Sequence, residues 1–133
     1  MAERNDLGIL RLLSTAEIEA IPWEPLHDLP GVTHKILWRS GDITLGLIHL
    51  DPGASEPGPP HYAAHHHFFV VQGTCSIAGR PLAAGSYAYI PPETEHPTTD
   101  VGPEGATVFF TYRPLGPKQA PPPPLHPDEL SAI

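Results

Sequence analysis

Four of the nine histidines fall within seven residues, His61-Tyr62-Ala63-Ala64-His65-His66-His67, and the run opens directly into Phe68-Phe69-Val70-Val71 and then Gly73. Imidazole is the commonest side-chain ligand of protein-bound metal ions, so the cluster reads first as a metal site. A purification tag would stand at a chain end, whereas this run stands mid-chain at the head of a strand-like segment. His61 ends one extended stretch, a short turn follows, and the triplet begins the next, which sets them across a hairpin mouth. His96 closes a later segment bounded by Gly85 and Pro91. Imidazoles from three segments can meet around one divalent transition-metal ion if a rigid frame holds the segments together. Strand alternation decides which member of the triplet faces that ion. If His66 points inward, His65 and His67 point outward, and a bulge at the strand start reverses the choice.

The frame is written in the text from Val32 onward, where short β-branched and aromatic runs are broken by Gly, Pro and Asp. That is the pattern of an all-β barrel or sandwich. Strands are expected at residues 33–39, 43–50, 66–72, 74–78, 87–90 and 107–113. The turns between them are signalled by Ser40-Gly41-Asp42, Asp51-Pro52-Gly53, Ala78-Gly79-Arg80, Ala84-Gly85-Ser86 and Gly102-Pro103-Glu104-Gly105. Residues 1–31 read as an N-terminal arm in which Ser14-Thr15-Ala16-Glu17 has capping-box spacing for one or two helical turns before Pro22. Residues 32–113 form the barrel. Residues 114–133, with Pro121 to Pro124 in a row, read as an extended proline-rich tail.

Composition removes several function classes. A chain of 133 residues suggests one domain, and its formal charge of −8 leaves no basic patch for nucleic acid or an anionic membrane. The single cysteine, Cys75, allows no intrachain disulfide and reads as a small buried hydrophobe. No run of about 18 apolar residues or signal-peptide pattern is present, so a cytoplasmic location is the expectation.

The second half of the site text, Gly85, five residues, Pro91, one residue, Glu93, two residues and His96, resembles the second motif of the cupin superfamily. Glu93 stands where that motif usually has glycine, and Asp100 where it often has asparagine. Counting back from Gly73, six intervening residues place His66 at the glutamate position of the first cupin motif, and four more place His61 at the second histidine. The first histidine position is then Pro59, which cannot ligate. The resemblance covers roughly residues 32–113 and implies a double-stranded β-helix, a cupin or jelly-roll-like barrel. It selects His61, His66 and His96 as the metal ligands and makes a homodimer the expected assembly.

Three neutral imidazoles leave a divalent ion its full charge and up to three octahedral positions open, which suits an anionic, chelating substrate together with dioxygen or water. Fe(II) is the first expectation, with Zn(II), Ni(II) and Mn(II) as alternatives. The string from Gly85 to His96 also resembles dihydroxyacetophenone dioxygenase-like cupins. The resemblance therefore implies a non-haem Fe(II) oxygenase acting on a small carbonyl or phenolic compound. A Lewis-acid isomerase, lyase or cyclase is the alternative, and a non-enzymatic small-molecule or metal sensor the third reading.

Other residues are less defined by the text. Glu56 and Glu95 could supply a carboxylate ligand, but each reads first as a solvated loop residue. Trp38, Phe68, Phe110 and Tyr112 could line a cavity, with core packing as the first reading. Tyr62 could donate a proton or simply be exposed in the turn. His49 receives no role, and His27, His34 and His126 read as surface positions.

Overall fold

The computed structural model describes residues 9–59 and 63–115. The expected tail beyond residue 115, and with it His126, lies outside the described residues, as do His61 and Tyr62. The elements run in the order α1 (Thr15–Ala20), β1 (Glu24–Pro25), β2 (Val32–Ser40), β3 (Ile43–Leu50), β4 (Ala64–Ile77), β5 (Arg80–Ala83), β6 (Tyr87–Ile90), β7 (Thr98–Thr99) and β8 (Ala106–Pro114). All pairings are antiparallel. The fold is the expected double-stranded β-helix.

The helix forms as its spacing predicts. The Ser14 hydroxyl accepts from the Glu17 amide while the Glu17 carboxylate accepts from the Ser14 amide, each at 3.1 Å, closing a capping box. The helix buries none of its residues. Its attachment is polar instead: Lys35 Nζ donates to the Ile18 carbonyl at 2.9 Å and sits 4.3 Å from the Trp23 ring centroid. Arg11 Nε donates to the Leu37 carbonyl at 2.7 Å.

Strand β4 organises the barrel. Its first half pairs with β8 on one side and β6 on the other, and its second half pairs with β5 and β7. The sequence suggested two strands broken at Gly73; the structure has one that bends. The register with β8 slips between Val70 and Gln72, and Gly73 takes φ +77°, where a side chain would run into the Gly105 carbonyl. Inward-facing residues therefore change parity along the strand, from Ala64, His66, Phe68 and Val70 to Cys75 and Ile77. Three short strands, β1, β5 and β7, were not anticipated. The β4–β5 hairpin turns on Ala78-Gly79, both at positive φ, as a two-residue primed turn requires.

Cross-strand register sorts the inner face into rows. One row runs Val32–Leu50–Ala106, all almost fully buried. The next holds Ile48, Val108 and Val70, followed by Phe110 and Phe68. Each large apolar side chain buried here contributes about 1.5–3 kcal/mol. The last row is polar, running Arg39–Thr44–Tyr112–His66 across β2, β3, β8 and β4. The barrel is thus packed shut at the Val32 end and polar at the other.

Candidate functional site

A cavity of about 410 Å³ occupies the polar end, with Ile36, Ile48, Phe68 and Phe110 as its apolar wall. His66 and His96 both line it, with ring centroids 5.0 Å apart. Of the three consecutive histidines only His66 lines this cavity. His65 and His67 turn to the outer face, where their Nδ1 atoms bond the hydroxyls of Tyr89 and Tyr87, each at 2.6 Å. The pleat explains the division: Phe68 and Val70 continue the inward set from His66, and Phe69 and Val71 continue the outward set from His67.

His66 is 8% exposed. Its pKa is lowered to about 4, first by burial and then by the neighbouring His96, His65 and His67. It is therefore neutral at physiological pH, the form in which imidazole donates to a cation. His96 is buried as well, and its Nδ1 donates to the Thr94 carbonyl at 2.8 Å. A carbonyl only accepts, so that contact fixes the tautomer and makes Nε2 the basic nitrogen.

The chain reaches His96 through a backbone ladder that carried no sequence signal. Glu56 and Thr98 exchange two amide–carbonyl bonds at 2.8 and 2.9 Å, and the His96 amide donates to the Gly58 carbonyl at 2.8 Å. Gly58 has φ +52°, and a Cβ there would collide with the His96 carbonyl. A glycine is what allows this loop to lie flat on the histidine. Glu93, in the turn before His96, also holds a left-handed φ of +58°, which gives a physical reason for glycine at that position in the cupin motif.

Three surface expectations are corrected. Glu56 lines the cavity, and burial pushes its carboxyl above the ordinary range, against the pull of His96 and His27. His34 and His27 line the cavity too. For His34 the signal was present, since Val32, His34 and Ile36 share one face of an alternating strand. His27 sits in a loop at φ +52° and no periodicity marks it. Glu95 is exposed, as its loop reading expected. Phe68, Phe110 and Tyr112 line the cavity, whereas Trp38 does not and is 40% exposed. His49 faces outward between Thr107 and Asp51. Cys75 is buried, and burial pushes its thiol pKa up, as suits a packing residue.

Among the described residues, no three His, Cys, Asp or Glu side chains form a group that could hold a metal ion. The His66 and His96 imidazoles and the Glu56 carboxyl, which line one cavity, nevertheless have the donor chemistry of a divalent transition-metal site. Among the described residues, no helix is long and apolar enough to cross a membrane.

Comparison with known proteins agrees with this architecture. The polyketide cyclase RemF from Streptomyces resistomycificus superposes with a TM-score of 0.67 at 16% identity, covering 94% of both chains. KdgF from Halomonas sp. gives 0.60 at 23% identity, covering 71% of this chain and 90% of its own. The Rhodobacter sphaeroides complex of SigE with the anti-sigma ChrR contains a chain that gives 0.61 at 20% identity, covering 70% of this chain and 50% of that one. No curated protein matches in sequence. These likenesses establish the fold, and their varied functions leave the reaction open. A family model for the ChrR cupin-like domain matches residues 13–116, so the chain belongs to the ChrR cupin-like family.

Proposed function

We propose that the protein is a metal-dependent enzyme acting on a small carbonyl or phenolic compound, with oxygenation as its reaction. The observation that carries this reading is the pairing of His66 and His96, with ring centroids 5.0 Å apart, in a ligand-sized cavity that has one apolar wall. His61, His66 and His96 are the ligands assigned to the ion. An ion held there supplies Lewis acidity toward an enolisable carbonyl and, as Fe(II), redox chemistry with dioxygen.

The chain's own residues supply the rest. Phe68, Phe110, Ile36 and Ile48 pack against the apolar body of the substrate and exclude water. Tyr112, with its ring centroid 5.1 Å from that of His66, positions the compound beside the histidine pair. Glu56, with its pKa raised by burial, holds a carboxyl suited to removing a proton next to the carbonyl.

The same carboxyl favours a second reading, a Lewis-acid isomerase or cyclase, in which Glu56 returns the proton and no oxygen is consumed. The full-length likeness to a polyketide cyclase is compatible with it. Anaerobic reconstitution with Fe(II), followed by a panel of diketones and hydroxyketones, separates the two. Oxygen uptake with oxygenated products supports the first, and conversion without oxygen supports the second. Metal-loaded protein that turns over nothing in either atmosphere contradicts both.

A further inference from the structure

We propose that Arg39 forms an anion-binding subsite at the cavity mouth, so that the compound bound there carries a carboxylate at the end remote from His66. Arg39 is the only lysine or arginine among the described residues that line the cavity. It occupies the first position of the polar row Arg39–Thr44–Tyr112–His66, three inter-strand spacings from the histidine. At the usual strand separation that places the two backbones about 14 Å apart, and both side chains shorten the gap by reaching inward. A single aromatic ring with a substituent at each end fits such a span.

Two other cations near this sheet are engaged. Lys35 donates to the Ile18 carbonyl and covers Trp23, and Arg11 donates to the Leu37 carbonyl. Arg39 differs. Its Nε donates to the Thr44 hydroxyl at 3.4 Å, a long bond that orients the guanidinium and leaves its planar fork of terminal N–H groups. Among the described residues Arg39 forms no ion pair; Asp42 of the adjoining hairpin turn borders it in a neighbouring depression without reaching it.

A protein of net charge −8 repels anions at long range, so an anionic ligand requires a local cation to be held at all. A planar guanidinium matches a carboxylate bidentately, which a lysine does not. The anion site stands on the cavity alone, whereas naming His66 as the reacting end rests on the proposed function.

The test uses 4-acetylbenzoate and its neutral methyl ester as probes, with binding measured by calorimetry on metal-free and Fe(II)-loaded protein. The wild type is expected to bind the carboxylate on the order of tenfold more tightly than the ester in both forms. Arg39→Gln should abolish that preference while leaving ester binding unchanged, and Arg39→Lys should restore only part of it. Equal affinity for the two probes, or a preference that survives Arg39→Gln, overturns the subsite. A preference that holds in protein inert toward every substrate supports the subsite and sinks only the enzymatic reading. Turnover without charge preference does the reverse.

Discussion

The two faces of β4 carry the same residue type and put it to different use. On the inner face His66 loses its water, is pushed to a pKa of about 4, and stands against His96 in an apolar cavity. On the outer face, one residue to either side, His65 and His67 rest on the hydroxyls of Tyr89 and Tyr87. Burial also lowers the pKa of His67, more than its neighbour His65 does. Composition does not distinguish these three side chains; the pleat does. Function in this barrel is therefore a matter of register, and a shift by one residue would exchange the faces.

The comparison breaks most completely where the inner face is held in place. Gly58→Ala puts a methyl group against the His96 carbonyl at a left-handed φ. We expect a loss of roughly 2–4 kcal/mol in chemical denaturation together with displacement of His96. A change below about 0.5 kcal/mol would mean the Glu56–Gly58 ladder does not position the histidine.

A smaller effect comes from acid. The folded pKa of His66 lies below its unfolded value, so between about pH 6.5 and 4 the unfolded chain binds more protons and stability falls as the pH is lowered. Glu56 acts in the opposite sense, since its raised carboxyl pKa favours the folded state on protonation. The His66 contribution is therefore isolated by comparing metal-free wild type with His66→Gln. Allowing for the water that reaches the cavity, the wild type should lose about 1–2 kcal/mol more than the variant across that window. Parallel pH curves would count against a desolvated His66.

The smallest effect belongs to the outer face. Tyr87→Phe removes the hydroxyl on His67 and should cost about 0.5–1 kcal/mol, with Fe(II) binding unchanged. A drop in metal affinity would show that the outer histidines support the inner site.

How much of this was legible follows from the range of each interaction. β-Branched and aromatic runs bounded by Gly, Pro and Asp marked β2, β3, β6 and β8, and the spacing to Gly73 chose His66 from its neighbours. Ser14 and Glu17 announced the helix start because a capping box is local. Gly73 misled, since the glycine that ends a strand and the glycine that bends one look alike in sequence. Strands β1 and β7 are only two residues long, and β5, Arg80–Ala83, has no β-branched or aromatic residue and carries Pro81. Glu56 was read as solvated because its burial comes from a ladder to Thr98, a pairing between residues far apart along the chain.

The central claim is that one member of the histidine triplet serves a metal ion from inside the barrel. Its most direct test is the Fe(II) content and affinity of the wild type, His66→Ala and His67→Ala after anaerobic reconstitution. The account predicts one ion per chain in the wild type and in His67→Ala, and at least a tenfold loss of affinity in His66→Ala. Undiminished binding by His66→Ala, or equal losses in the two variants, would contradict it.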